Sequence, residues 1–216
     1  MSEGLRERKK RETRMRISDM ATGLFMARGF DNVTVAEVAR AADVSVNTVF
    51  NYFPAKEDLL FDRQDELVGL LSRIVRERRA GESALQAVRR DFLDALDTRD
   101  WRHGFHEGSD LFARMVNASP ALTARLREVN ELRVEALART LADEADADPD
   151  DLTPRLVAAQ ICAALHTLAA YAVRRMLAGE SVAEIAPGLR EQAEHAFRLL
   201  ESGIDGYCAL GEAREA

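Results

Sequence analysis

Asn47, Thr48 and Asn51 share one side of the run SVNTVFNYF, which contains no charged residue between Ser45 and Phe53. An Asn amide can bond an adenine edge through two hydrogen bonds in the major groove, and a small apolar group such as Val can meet a thymine methyl. Laid out at about 100° per residue, Val49 and Phe53 fall on the opposite side and must face a core. Val46 and Phe50 flank the amides on one edge, Tyr52 on the other. A solvent-facing helix side ordinarily carries Lys, Glu or Arg. This one offers amides, a hydroxyl and aromatic rings, which suits the edges of DNA bases. The competing reading is a polar face in a small bundle, since helix-turn-helix geometry also occurs outside DNA binding.

Such a face works only if its helix is short, capped and held against a second helix. Thr34 followed by Glu37 is a capping box and starts that second helix. Val35, Val38, Ala39 and Ala42 then form one apolar stripe ending near Ala42. Asp43 tolerates the left-handed backbone of a tight exit, and Ser45 caps the reading helix. Ahead of this unit, Arg6, Arg8, Lys9, Lys10, Arg11, Arg14 and Arg16 form a basic lead-in. It merges into a helix with the stripe Ile17, Met20, Ala21, Leu24 and Phe25, ended by Gly29. Phe25 and Phe30 are expected to plug the core between the three helices. Basic arms beside such units reach phosphates or an adjacent minor groove, although a solvated tail has the same composition.

The segment GFDNVTVAEVARAADVSVNTVFNYFPAKEDLL, Gly29 to Leu60, resembles the N-terminal DNA-binding region of the TetR family of transcriptional regulators. The family's usual pattern is G-aromatic-TV-IA-AGVS-T-aromatic-aromatic-F-KE-L, and the match holds at fixed spacing over the whole stretch. Asp43 stands where the family most often has Gly, Asn47 where Gly is common and Phe50 where Tyr is common. The last two lie on the reading face, so the operator sequence does not carry over. The resemblance implies a phosphate contact by Lys56, a homodimer built by the last two long helices, and a small, largely apolar effector entering the helical body. With it, base contact is assigned to Val46, Asn47, Phe50 and Asn51. Phosphate contact is assigned to Thr48, Tyr52, Lys56 and the arm residues Arg6, Arg8, Lys9, Lys10 and Arg11. The cap residues Thr34 and Ser45 complete the DNA-binding set.

The chain has 216 residues with a net charge of -7, which argues against a nucleic-acid partner until the charge is divided. Residues 1 to 60 carry a net charge of +1 and residues 61 to 216 a net of -8; residues 1 to 16 alone hold seven basic and three acidic side chains. Such an asymmetry presents the N-terminal end to DNA and turns the rest away. Cys162 and Cys208 are far apart and suggest no disulfide framework, so a reducing cytoplasm is expected. The apolar run from Val157 to Val173 is interrupted by Gln160, His166 and Thr167, falls short of a membrane span, and reads as a buried helix.

The remainder reads as helices. A fourth is expected from Pro54 to about Arg79, a continuous lever of roughly 36 Å. Ser83 caps another, with Leu85, Val88, Phe92 and Leu96 inward; Asp110 to Ser119 is short and Ala121 to about Glu144 long, with Leu122, Val129, Leu132, Leu137 and Leu141 among its apolar positions. Pro154 to Ala178 should be buried on more than one side, and Leu189, Ala193, Ala196, Phe197 and Leu200 form the stripe of the last. The expected fold is all-α with about nine helices. Residues 1–54 would form a three-helix DNA-binding domain and 55–216 a larger effector-binding and dimerisation domain. Candidate effector-pocket residues are Phe92, Trp101, Phe105, Phe112, Met115, His166 and Tyr171, chosen as aromatic, sulfur-bearing or amphipathic groups within the body.

His106 with Asp110, and Cys162 with His166, have helical spacing but no third ligand, and the acidic turn Asp146 to Asp151 lacks a calcium-loop ladder. No metal site is assigned and no cofactor is expected. There is also no Gly-rich phosphate loop and no nucleophile elbow, so no catalytic residue is assigned. The expected function is a ligand-responsive transcriptional regulator, most simply a repressor on a pseudo-palindromic operator. A helical adaptor without operator recognition is the alternative.

Overall fold

The computed structural model describes residues 4–62, 64–100 and 108–204. Among them are ten α-helices: α1 (Leu5–Arg28), α2 (Val35–Ala41), α3 (Val46–Tyr52), α4 (Gln64–Val68), α5 (Leu70–Arg76), α6 (Ala84–Thr98), α7 (Ser109–Ala118), α8 (Pro120–Ala145), α9 (Thr153–Leu177) and α10 (Val182–Ile204). A short 3₁₀ turn, Glu57–Leu59, lies between α3 and α4. No strand occurs among the described residues, so the expected all-α class holds. The helices divide between two compact units, Met1–Gln64 with Leu111–Leu126, and Asp65–Asp110 with Arg127–Ala216.

The first unit is built by local signals that the chain carries in plain view. At the exit of α1, Gly29 adopts φ 82 and ψ 147, a region closed to residues with a Cβ, while its N–H closes on Phe25 O at 2.8 Å. The Thr34 hydroxyl accepts from Glu37 N at 3.2 Å and Thr34 N donates to Glu37 Oε2 at 2.8 Å, so the capping box forms as expected. Asp43 sits at φ 52, the left-handed exit. Ser45 Oγ then accepts from Thr48 N at 3.0 Å and opens α3. Ile17, Ala21 and Phe25 of α1, Val38 and Ala39 of α2, and Val49 and Phe53 around α3 are all buried. The Phe25 and Phe30 rings meet at 4.9 Å in the middle. Met20 is the correction to the expected stripe: it is 43% exposed, one position too far round α1 to reach this core.

A second correction concerns Pro54 to Arg79, which is not one helix. The backbone makes the 3₁₀ turn, breaks, and restarts as α4 and then α5. Tertiary anchors explain the breaks. Leu59 and Phe61 are buried, Asp58 accepts from Ala55 N at 3.0 Å and from Arg125 at 2.7 Å, and Asp62 receives Arg14. Each fixes the chain where a continuous helix would carry these groups around the axis. Gly69, a poor helix former, separates α4 from α5. The same unit takes in the start of α8, where Ser119 Oγ donates to Asp31 Oδ1 at 3.1 Å, and part of α7, whose Phe112 meets Phe61 edge to face at 6.2 Å.

In the second unit α5, α6, α8, α9 and α10 enclose one apolar core, with Phe92 and Phe197 at 6.1 Å near its middle. Ser83 caps α6 with a box closed by Gln86, and Leu85, Val88, Phe92 and Leu96 point inward as expected. On α8, Leu122, Val129, Leu137 and Leu141 are buried while Leu132 is 41% exposed. A third correction falls on α9. Its buried residues Pro154, Val157, Ala158, Ile161, Leu165, Leu168, Ala172 and Met176 follow a single stripe, and the other side, with Leu156, Ala159, Ala163 and Ala170, is open in the isolated chain. At 25 residues α9 extends beyond the apolar run from Val157 to Val173, and by length and composition alone it suffices to cross a membrane. Its stripe instead packs into the core shared with α6 and α10.

Candidate nucleic-acid interface

The outer side of α3 carries the side chains expected there. Asn47 and Asn51 are exposed, Val46 and Phe50 are 39% and 45% exposed, and Thr48 and Tyr52 are half-buried. Thr48 is less available than its angular position suggests, because its hydroxyl lies 2.7 Å from Ser45 Oγ within the cap. Thr34 is likewise engaged, its hydroxyl donating to Glu37 Oε2 at 2.8 Å. Those two hydroxyls serve the helix starts, leaving the amides and the Phe50 ring as the accessible recognition groups.

The basic residues are part of α1 rather than a loose arm. Arg6, Arg8, Lys9, Lys10 and Arg11 are exposed on its first turns. Arg6, Lys9, Lys10 and Thr13 line one open cleft of about 470 Å³ together with Thr48, Asn51 and Tyr52 of α3. Three cations, two hydroxyl side chains, an amide and a phenol therefore converge on one concave surface. Such a combination is chemically able to neutralise phosphates through the cations while leaving uncharged groups for base edges.

Two basic residues have structural partners that spacing does not disclose. Arg14 donates from Nε to Asp62 Oδ1 at 2.5 Å and from a terminal nitrogen to Tyr52 O at 3.1 Å, and it stacks over the Phe53 ring at 4.7 Å. It ties α1 to the end of α3, a positioning role hidden in a run of seven cations. Lys56 Nζ donates to Phe30 O at 2.7 Å and lies 4.1 Å from that ring's centre. Pro54 does not open a helix beside it; the next helical turn begins at Glu57. The phosphate role expected for Lys56 therefore draws on its two remaining N–H donors.

Arg28 reaches Glu37 at 2.8 Å, so the α2 cap carries an ion pair as well. The Thr34 N–H first, then the Thr34 hydroxyl and Arg28, lower the Glu37 carboxyl from 4.5 to about 2.

The described effector candidates divide between the two units. Phe92 and Tyr171 belong to the second unit, Phe112 and Met115 to the first. Phe92 is buried against Phe197, the Tyr171 hydroxyl accepts from Arg175 at 2.7 Å, and His166 stands exposed on α9. Trp101 and Phe105, like His106 of the weighed metal pair, lie outside the described residues. Among the described residues no cluster of three or more His, Cys, Asp or Glu forms. An apolar cavity in the second unit, bounded by Leu96, Met176, Ile185 and Leu189, has room of about 10 Å³, enough for one water.

Known proteins are similar to this chain in sequence and in fold. A family profile described as bacterial regulatory proteins, tetR family, matches residues 17–62, and one described as MftR C-terminal domain matches residues 82–205. The chain is 33% identical over 162 residues, 72% of its length and 71% of the relative's, to the HTH-type transcriptional regulator TcmR of Streptomyces glaucescens. It is 29% identical over 202 residues, covering 92% and 94%, to the regulator MftR of Mycobacterium tuberculosis. Native NalD of Pseudomonas aeruginosa, a secondary repressor of a multidrug efflux pump, has the same fold, with a TM-score of 0.55 at 20% identity over 86% of this chain and 97% of that one. Members of this group are DNA-binding regulators and not enzymes. With a capped helix-turn-helix inside one matched segment and a helical body inside the other, the chain belongs to the TetR family of bacterial transcriptional regulators.

Proposed function

We propose that the protein is a cytoplasmic, ligand-responsive repressor that binds a pseudo-palindromic operator as a homodimer and leaves it when a small, largely apolar effector occupies the body. Residues 1–54 form the reading head and residues 55–216 the effector-binding and dimerisation body. The observation that carries this reading is the shared cleft, in which the cations of α1 face the uncharged side of α3. Val46, Asn47, Phe50 and Asn51 take the base edges. Arg6, Lys9, Lys10, Tyr52 and Lys56 take phosphates.

One head makes few base contacts, so specificity requires two, placed about 34 Å or a multiple apart on a two-fold axis. The open side of α9 supports a dimer through α9 and α10. Leu156 on α9 and Leu199 on α10 are 58% and 65% exposed, and the exposed Ala159, Ala163 and Ala170 of α9 permit close helix approach. Release needs a coupling between effector and operator of about 1–3 kcal/mol.

Selection of bound sequences from random DNA should return a two-fold symmetric site. On that site Asn47→Ala is expected to cost about 1–3 kcal/mol while non-specific binding stays unchanged. An equal loss on both DNAs would remove Asn47 from the reading face, and an asymmetric single site would remove the dimeric operator.

A further inference from the structure

Buried and half-buried guanidinium groups of the second unit are matched to acids, with one exception among the described residues. Arg78 meets Glu144, Arg89 meets Glu194 and Glu201, Arg175 grips Glu180, and Arg190 meets Asp97. Arg90 holds Glu82 through two nitrogens at 2.9 and 3.1 Å. Arg133 on α8, half-buried, has no carboxylate. Its polar neighbour is Asn130 Oδ1 at 3.5 Å, the outer limit of a hydrogen bond, and its Nε is sealed from solvent with no acceptor. Nε also lacks an acceptor in Arg78 and Arg89, but there a terminal nitrogen holds an acid.

Two neighbours of Arg133 belong to the edge of the apolar core. Val134 beside it and Cys162 across on α9 both pack on the body core. Burial pulls the proton affinity of Arg133 down and pushes the Cys162 thiol up, the two groups standing close enough for the charge to act on the thiol. A guanidinium nevertheless stays charged. A desolvated cation without a counter-charge lowers the stability of the folded chain. A planar fork of donors at the rim of an apolar core matches one kind of guest well: a carboxylate, which takes two parallel hydrogen bonds, joined to an apolar body. The Asn130 amide keeps its NH₂ donors for the same oxygens.

We propose that Arg133, with Asn130 beside it, binds the carboxylate of an organic acid, and that such acids are the effector class of this regulator. The proposal rests on the reading of the body as effector-binding. It differs from the sequence-based pocket candidates, among which there is no arginine or lysine.

The test uses the full chain, Arg133→Met and Arg133→Gln, with decanoate, benzoate and their primary amides as probes, read by thermal unfolding. Without additive, Arg133→Met is expected to unfold about 2–4 °C above the native chain, because an unsupported cation has been removed. Decanoate or benzoate should raise the unfolding temperature of the native chain, decanamide and benzamide should not, and both variants should lose the response. The proposal is overturned if the variants unfold lower and still respond to the acids, if acids and amides act equally, or if neither acid acts. It is also overturned if sedimentation shows Arg133→Met to be monomeric where the native chain is a dimer, since Arg133 would then serve an acid of a second copy. Binding of the selected operator by the variants without additive should match the native chain. Loss of operator binding by the native chain itself would count against the regulator reading and leave the anion site standing.

Discussion

Replacing Arg14 by Met separates a cation that positions the reading helix from cations that touch DNA. The methionine keeps an apolar stem against Phe53 and removes the charge. Three contacts go with it: the Asp62 pair at 2.5 Å, the bond to Tyr52 O at 3.1 Å and the stacking on Phe53. The pair is 41% exposed on the Arg14 side and 14% on the Asp62 side, so it is discounted to about 0.5–1 kcal/mol. A charged bond to a carbonyl contributes about 1.5 kcal/mol and the ring contact about 0.5 kcal/mol. With overlap among contacts on one side chain, the loss is about 2 kcal/mol, or about 4–8 °C in unfolding temperature. Binding to the selected operator should weaken, because the carbonyl at the end of α3 is no longer held. The slope of log affinity against log salt should stay the same, whereas loss of a true phosphate contact lowers it by about 0.9. Fluorescence anisotropy across a salt series, alongside thermal unfolding, reads both quantities. A slope reduced by about one with unchanged stability would refute the positioning role, and an Asp62→Asn variant that adds its full effect to Arg14→Met would refute the pairing.

Two further outcomes follow from the same unit. The Glu37 carboxyl is held at about 2 against an ordinary 4.5, chiefly by the Thr34 N–H. A lowered value contributes stability that is complete above pH 4.5 and is lost as the pH falls through 2. The gap in unfolding midpoint between the native chain and Glu37→Gln should therefore close over that window, and a gap independent of pH would show that the cap does not depend on the charge. Asp43 at φ 52 occupies a backbone region that glycine enters without steric cost. Asp43→Gly should stabilise the chain by about 0.5 kcal/mol in chemical denaturation, and a clear destabilisation would mean that the Asp side chain supports the turn.

The sequence discloses the reading head well because its determinants are local. Thr34 and Glu37, Asp43, and Ser45 with Thr48 each fix the backbone within three residues, so spacing alone identifies them. The stretch from Pro54 to Arg79 is different. Its leucines recur at helical intervals, but the backbone is set by distant groups, Arg14 holding Asp62 and Arg125 holding Asp58, which no window of sequence contains. Arg14 escapes notice for the same reason: among seven cations, composition does not show which has an acid 48 residues away. The pocket candidates rest on residue type, and type does not separate a ring that packs on a neighbour, as Phe92 does on Phe197, from one that faces a guest. Arg133 is harder still, since its distinguishing property is a partner that is missing.

On the function proposed above, the head distributes affinity and specificity over two helices. On α1 the exposed cations attract any duplex, and the energy they supply depends on salt and not on sequence. On α3 the accessible groups are uncharged, so they add little to non-specific attraction and much to discrimination between bases. Under the proposed reading, substitutions at Asn47 and Phe50 can change the operator while the salt-dependent attraction stays intact, because no charge is gained or lost. That fits the identity of these positions, which differ from the residues common in the family, within a head whose caps and core follow the family pattern closely. What this head shares with the family pattern is then the geometry that presents α3, with Thr34 and Ser45 at its helix starts. On the same proposal, the operator is written in a few side chains that the geometry leaves free to vary.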